Sequence, residues 1–351
     1  MYMKFLKYTF LLLFFYLITS ITNISFAKEK VKNSYIMYNN KTFFISASYG
    51  FAFHKASYNV SSPPSFTNPI ISRLVYQSSM IPTLSFNFGF RPTDNFTLQL
   101  GFNFNIQEIS GRNSLNDYDW ANPNNDNRTH WSHHTLLAFR DINVDLALKY
   151  NFLSFGEITK YGRLIIGIMT GFQYNYTQWK KLGRGGHFEY PLNDGGTYDI
   201  VEVKDWNKGL WFTMHKYLPY YGLFIDYQYK RFQIIGSFKH SLLNYISDED
   251  QHRYTGIVDR LTQNTIVMSN AFDISINLGV IITENIKVFV KGTLRKVNYN
   301  MSTPDRLTIY GMYDDAGLID YSVDLHKVKH YQSASIESIS YIISCGLAVA
   351  F

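Results

Sequence analysis

The 351-residue sequence contains a single cysteine, Cys345. One cysteine cannot form an internal disulfide, and it cannot supply the several thiolates of a cysteine-rich metal site. It lies in an alternating apolar segment near the C-terminus, where we expect a lipid-facing position. Disulfide scaffolds and cysteine-rich zinc proteins are therefore excluded.

After residue 27 the chain has no apolar run of the roughly 20 residues that a membrane-spanning helix needs, although 46% of all residues are hydrophobic. The start of the chain is different, because two lysines precede the short apolar stretch TFLLLFFYLI and the small-residue sequence SFA follows it. This order is typical of a secretory signal peptide. We predict a signal peptide at 1–27 and one mature domain at 28–351.

Charged side chains are sparse, at 17% of the chain. Without the two lysines of the predicted signal peptide, 31 basic and 27 acidic side chains remain. This balance is too even to indicate a nucleic-acid-binding protein. Acidic residues are absent between Lys30 and Asp94.

Aromatic residues are abundant, with 28 Tyr and 28 Phe. The C-terminal segment SISYIISCGLAVAF alternates between large apolar and small or polar residues, with Ile342 as the exception. The large apolar positions are Ile339, Tyr341, Ile343, Cys345, Leu347, Val349 and Phe351. This pattern predicts a strand with lipid on one side and a wet lumen on the other.

Similar alternation recurs about ten times along the chain. The predicted strands cover 43–53, 84–90, 96–106, 142–152, 164–176, 219–229, 232–238, 266–280, 286–297 and 338–351. The short connections RPTDN, LSFGEITKYG, YKR and ITEN alternate with long polar segments at 54–80, 108–140, 177–214, 244–264 and 298–336. The fold class is therefore all-β: a ten-stranded antiparallel transmembrane β-barrel with short periplasmic turns and long extracellular loops. Ten strands enclose too narrow a lumen for a general porin.

Two acidic clusters lie in different long polar segments. NDYDW contains Asp117 and Asp119, and SDEDQHRY contains Asp250 and His252. Residues two apart share a face of an extended segment. Close carboxylates can share a proton and hold a water, and an Asp beside a His can orient the imidazole. Solvated turns and a metal site formed by Asp117, Asp119 and His252 are the alternatives to a metal-free hydrolytic site.

The clusters resemble the active site of the omptin family of outer-membrane proteases. The resemblance includes NDYDW, GFQYNYTQWKKLGRGGHFEY, LPYYGLFIDYQYKRFQIIGSFKHS, SDEDQHRY, NIKVFVKGTLRKV and the closing Phe351. It implies a metal-free endopeptidase in which Asp117 and Asp119 form the family's Asp pair, and Asp250 and His252 form its Asp–His dyad. His252 would activate a water held between them, on a site that faces the cell exterior.

The resemblance also implies the partners of the protein. Family members act on peptides or proteins, cleave after basic residues, and are expected to be monomers in the lipid of the outer membrane. Asp248 matches an acid of their pocket and would bind a guanidinium group. A second pocket acid is missing here, since Lys55 and Ala56 stand at about its position in the first strand.

Family members also need lipopolysaccharide as an activating lipid, although they use no cofactor in catalysis. The positions that match its binding site are Phe172, Tyr174, Tyr176, His215 and a non-basic residue near Val267. Phosphate groups need Arg or Lys, so the usual lipopolysaccharide site looks degraded.

Two other functions are open on the sequence. An omptin-like barrel could be a surface adhesin with little proteolysis, and aromatic, histidine-containing segments such as THWSHH would suit that role. A lipid A deacylase or phospholipase would need a Ser–His pair on the lipid-facing wall, and no serine forms a comparable motif with His252. The presence of all four catalytic positions favours the protease.

Overall fold

The structure is a computed structural model. It describes residues 42–61, 70–106, 113–119, 130–134, 137–158, 160–181, 187–190, 199–202, 210–254, 257–302, 306–314, 317–323 and 333–351. The predicted signal peptide at 1–27 lies outside these residues. Within them there is no helix long and apolar enough to cross a membrane.

The described chain is built from β-strands. They are β1 (Phe43–Ser61), β2 (Ile70–Phe90), β3 (Phe96–Asn105), β4 (Ser114–Asp119), β5 (His130–His134), β6 (Leu137–Glu157), β7 (Gly162–Lys181), β8 (His187–Tyr190), β9 (Asp199–Glu202), β10 (Leu210–Tyr229), β11 (Phe232–Tyr254), β12 (Ile257–Ile281), β13 (Ile286–Ser302), β14 (Arg306–Asp314), β15 (Gly317–Val323) and β16 (Ser333–Ala350).

Ten of these strands close into an antiparallel barrel in the order β1-β2-β3-β6-β7-β10-β11-β12-β13-β16, and β16 returns to β1. At the seam, Phe44 lies opposite Ala350, and backbone hydrogen bonds of 3.0 and 2.9 Å join Phe43 to Phe351. Every barrel strand thus has two hydrogen-bonded neighbours, which leaves no open edge in the lipid. The predicted ten-stranded barrel is confirmed.

The two ends of the barrel differ. At one end, which we call the turn end, short connections at 91–95, 158–161, 230–231 and 282–285 join neighbouring strands. At the other end, which we call the open end, the sheet continues beyond the barrel. There β4, β5, β8 and β9 extend the sheet from β2, while β14 and β15 extend it from β12.

The strand faces follow the predicted alternation. On β16, Tyr341, Ile343 and Cys345 point outward and are exposed, whereas Ser344 is buried in the lumen. Ile342, the exception to the pattern, also points inward and belongs to an apolar cluster inside the barrel. The lipid-facing position of Cys345 is confirmed.

Parts of the segments predicted as loops are strand. β1 continues to Ser61, β11 continues to Tyr254, and β12 begins at Ile257. The sequence instead predicts loops at 54–80 and 244–264. Apolar alternation marks only the part of a strand that contacts lipid. Beyond it the outward side chains meet water and become polar, while the backbone ladder continues.

Candidate active site at the open end of the barrel

NDYDW lies on β4, which pairs with the outer part of β2. Asp117 is opposite Leu74, and Asp119 is opposite Ser72. Leu115, on the same face of β4 as Asp117, is fully buried, so this face is turned inward. Asp117 is half-buried, and its Oδ1 atom is shielded from solvent. The side chain of Asp119 lies outside the described part of the structure, so the convergence of the two carboxylates stays a prediction.

The opposite face of β4 is tied to β5. The Oδ1 atom of Asn116 lies 2.8 Å from Nδ1 of His133, and Asn116 and His133 are directly opposite in the ladder. This contact joins β4 to β5 through the outer face of β4, while Asp117 lies on the inner face.

SDEDQHRY lies on the outer part of β11. Asp248 is 3% exposed and lies opposite Met214 of β10, which is fully buried. Asp250 follows opposite Phe212, and His252 lies two positions further towards the open end. Because side chains alternate along a strand, positions 248, 250 and 252 fall on the same face. The side chains of Asp250 and His252 lie outside the described residues, so their pairing stays a prediction.

A β-bulge decides which face of β11 is turned inward. Leu242 and Leu243 are consecutive, yet both are exposed on the outer wall, while Ser241 and Asn244 on either side are buried. The pairing of β11 with both neighbours shifts at this point. A one-residue bulge exchanges the two faces of a strand. It therefore turns Asp248 into the lumen.

Five aromatic side chains cross the lumen beside these acids. We call them the aromatic layer: Tyr58, Tyr76, Phe139, Trp179 and Phe212, each no more than 1% exposed. The Tyr76 ring centroid lies 4.8 Å from that of Trp179 and 5.1 Å from that of Phe212. The indole Nε1 of Trp179 donates a hydrogen bond of 3.3 Å to Ser78 Oγ. No single stretch of the sequence indicates this layer, because its members are spread over five strands.

The aromatic layer connects the two acidic clusters. Tyr76 of β2 is opposite Leu115, two positions before Asp117. Phe212 of β10 is opposite Asp250. The two strands are four steps apart around the barrel, yet the Tyr76 and Phe212 rings stack on each other. One ring contact thus spans the lumen between the strand pair that carries Asp117 and the strand pair that carries Asp250.

The first strand presents no acid to this region. Ala56 is buried and belongs to the same apolar cluster as the aromatic layer, whereas Lys55 is exposed on the outer wall. His54 is buried one step deeper, with its ring 5.2 Å from that of Trp179 and 5.3 Å from that of Phe139. The inward side chain at this position is therefore small and apolar, and Lys55 adds no positive charge to the lumen.

The outer wall near the open end carries the aromatic positions that match the family's lipid site. The hydroxyl of Tyr174 lies 2.9 Å from Nδ1 of His215, and the Tyr176 ring centroid lies 5.1 Å from that of His215. Phe172 is exposed on the same strand. The side chain of Val267 lies outside the described residues. An aromatic patch of this kind suits the membrane–water interface.

Ion pairs lie in the lumen below the aromatic layer. Asp145 contacts Lys239 and accepts a hydrogen bond of 2.7 Å from the Tyr220 hydroxyl. Arg295 Nη2 lies 3.2 Å from Asp273 Oδ2. Charged residues at inward positions of predicted strands are a signal for such a lumen, but the sequence does not say which charges pair.

Comparisons with known proteins agree with this architecture. The chain is 28% identical over 239 residues to Protease 7 of Escherichia coli O157:H7, covering 67% of this chain and 68% of that protein. It is 25% identical over 211 residues to outer membrane protease OmpP of Escherichia coli K12, covering 60% and 61%. The fold matches the crystal structure of outer membrane protease OmpT from Escherichia coli with a TM-score of 0.72 and 21% identity, over 88% of this chain and 97% of that chain.

The sequence profile of the Omptin family matches residues 39–351, which include the whole barrel and both acidic clusters. The chain therefore belongs to the omptin family.

Proposed function

We propose that this outer-membrane protease is an aspartate- and histidine-dependent endopeptidase that cleaves exposed peptides or proteins at the open end of its barrel. The observation that carries the proposal is the stacking of Tyr76 on Phe212 at 5.1 Å. It joins β2 and β10, the direct neighbours of the strands that bear Asp117 and Asp250, across one lumen. A water between the two clusters would be within reach of both.

The proposed mechanism uses only side chains of this chain and needs no metal ion. His252 takes a proton from a water held near Asp117 and Asp119, and the resulting hydroxide attacks the scissile carbonyl carbon. Asp250 orients the imidazole and stabilises its charged form. The proton then passes from His252 to the leaving amine.

Specificity for a basic residue would rest on Asp248. It is buried at the inner face of β11, two positions deeper than Asp250. A carboxylate there would attract the positive end of a long Arg or Lys side chain that enters the lumen. Because Ala56 faces the same cluster in place of an acid, we expect weaker selectivity for basic residues than two acids would give.

The proposed protease has a fixed orientation in the outer membrane and little need for an activating lipid. The open end would face the cell exterior and the turn end the periplasm, as short turns and long extensions usually do. The barrel would act as a monomer. The outer wall around Tyr174 and His215 carries aromatic groups where phosphates would need cations, so activity would depend little on lipopolysaccharide.

The test is cleavage of a peptide panel by the refolded protein in detergent. The residue before the cut is varied among Arg, Lys, Ala and Phe, with and without lipopolysaccharide and with and without EDTA. We expect cleavage after Arg and Lys that EDTA leaves unchanged and that His252→Ala abolishes. Absence of cleavage by a well-folded barrel in every condition would instead favour a surface adhesin.

A further inference from the structure

Below the aromatic layer, the lumen contains two adjoining cavities of about 110 and 230 Å³, which we call the upper and lower chambers. The lining residues that they share are all polar: Asn87, Gln99, Lys149, Ser237, Ser275 and Lys291. The lower chamber extends to the turn end, where Arg91, Asp94 and Arg163 line it. Asp94 is exposed there, so the lower chamber is open to solvent.

The carboxylates of the upper chamber are already engaged. Asp145 contacts Lys239, and Asp273 accepts hydrogen bonds of 3.2 and 3.3 Å from Arg295. Within each pair the charges balance, and in the described part of the chain no carboxylate lies within ion-pair distance of Lys149 or Lys291.

The lower chamber has five basic and two acidic lining residues. Its inner acid, Asp226, accepts hydrogen bonds of 2.9 Å from Gln233 Nε2 at both carboxylate oxygens. Gln233 Oε1 in turn accepts a hydrogen bond of 2.9 Å from Lys287. The other acid, Asp94, lies at the exposed rim.

Lys149 and Lys291 are the exceptions in this network. In the described part of the chain, neither makes a hydrogen bond or an ion pair, although Asp145 acts on both over a longer distance. Lys149 Nζ lies over the face of the Phe224 ring, 5.6 Å from its centroid. They come from different strands, β6 and β13, and line the same two chambers. Two cations without an ion pair that line the same chambers repel each other, which costs free energy unless an anion lies between them.

Neutral donors complete the surroundings of these two lysines. The hydroxyls of Ser237 and Ser275 are 2.7 Å apart. Since one hydroxyl donates to the other, the second proton is available to a third group. Gln99 Nε2 donates to Asn87 Oδ1 at 3.4 Å, and its second N–H is free for another acceptor. Donors from β3, β6, β11, β12 and β13 thus surround one space.

We propose that the lumen binds a small phosphate-class oxyanion between Lys149 and Lys291, at the junction of the two chambers. A tetrahedral anion with several oxygens can accept hydrogen bonds from all of these directions at once, and ammonium groups form strong charge-assisted bonds with it. The lower chamber is open to solvent at the turn end, so the anion enters from there. This site is separate from the proposed catalytic clusters and does not depend on them.

The experiment titrates inorganic phosphate into the refolded barrel in detergent at constant ionic strength, with sodium chloride replaced stepwise. Binding is followed by calorimetry and by the thermal unfolding midpoint. We expect saturable binding of one phosphate per barrel and a rise in the midpoint that chloride does not reproduce. Equal stabilisation by chloride and phosphate at matched ionic strength would overturn the proposal.

Three variants locate the site. Lys149→Met and Lys291→Met should each weaken phosphate binding by about tenfold or more, because each removes a charge-assisted hydrogen bond. Lys296→Met is the matched control, since it removes the same charge from the outer face of β13, where Lys296 pairs with Glu337 at 2.8 Å. Loss of binding in the control to the same degree would contradict the proposed location.

Two further measurements keep the outcome interpretable. Without phosphate, Lys149→Met should unfold at the same or a higher temperature than the parent, because the substitution removes a cation that has no ion pair. A lower unfolding midpoint would mean that Lys149 stabilises the empty barrel, which would contradict the proposal. A glycerophosphodiester, which has the chemistry of a lipid headgroup, should bind more weakly than inorganic phosphate. Tighter binding of the diester would overturn the assignment to a free anion.

Discussion

The ring of Tyr76 stacks on the ring of Phe212 with centroids 5.1 Å apart and planes inclined by 24°. Tyr76 belongs to β2 and Phe212 to β10, so the contact crosses the lumen. On the β2 side, Asp117 lies next along the inner face beyond Leu115, which is opposite Tyr76. The stack fixes the distance between the two walls at the level where the candidate active site begins.

Substitution of the proposed catalytic residues should remove activity without unfolding the barrel. We expect His252→Ala and Asp117→Asn each to lower kcat/KM by about 10²–10⁴-fold, because each removes a group that moves or holds the attacking water. The measurement is cleavage of an Arg-containing peptide, with heat-modifiable gel mobility as the check on folding. Glu249→Gln, on the opposite face of β11 from Asp248, is the control and should cleave like the parent. Full activity in His252→Ala would contradict the catalytic assignment.

Asp248→Asn should change specificity more than rate. A charge-assisted hydrogen bond to a guanidinium group is worth about 1.5–3 kcal/mol, so kcat/KM for a peptide with Arg before the cut should fall by about 10- to 100-fold. Cleavage of the matching Ala peptide, if measurable, should change little. An equal loss for both peptides would mean that Asp248 supports the fold rather than the pocket.

Phe212→Ala should weaken both the barrel and the site. Removal of a fully buried ring leaves a cavity and costs about 3–5 kcal/mol of unfolding free energy. Denaturant unfolding in detergent measures the loss of unfolding free energy. Peptide cleavage should also fall, because the ring contact that sets the distance between β2 and β10 is removed. Phe212→Leu keeps much of the side-chain volume, so it should retain more of the stability and more of the cleavage activity than Phe212→Ala. Unchanged stability in Phe212→Ala would show that the aromatic layer does not hold the two walls.

Spin labels can test the β-bulge of β11. In a Cys345→Ser background, single cysteines at 241–245 are labelled and their collision with lipid-soluble oxygen is measured. We expect high collision rates at Leu242, Leu243 and Tyr245 and low rates at Ser241 and Asn244, because two consecutive residues face outward at the bulge. Strict alternation through these five positions would contradict the bulge and, with it, the inward position of Asp248.

The sequence was sufficient for the barrel, and it placed both acidic clusters beyond the lipid-facing parts of their strands. Alternation on β16 from Tyr341 to Val349 follows directly from lipid on one side and a lumen on the other. The short connections between alternating segments likewise predicted the turns at 91–95 and 282–285. The open end was predicted less well. Outside the lipid the outward side chains are no longer uniformly apolar, so the lipid-facing pattern no longer separates the strand from a loop.

The bulge of β11 and a similar irregularity on β2 show most clearly what the sequence left open. On β2, Ile81 and Ser78 are both buried, and Met80 between them has a φ of 53°. This irregularity turns Tyr76 inward, although the outward residues Phe86 and Phe88 have the same parity in sequence. Pairing of β1 with β2 shifts by one residue at the same place.

The sequence by itself determined that this protein is a β-barrel with carboxylates and a histidine near one end, because residue type and period two are local properties. Only the tertiary structure decided that Asp117 and Asp248 lie on strand faces that are turned inward. A bulge moves a strand by one residue relative to its neighbours. A shift of one residue turns side chains that faced the lumen outward and side chains that faced outward into the lumen. The position of such a shift depends on how neighbouring strands pair around the closed barrel, and this is information that no single strand contains.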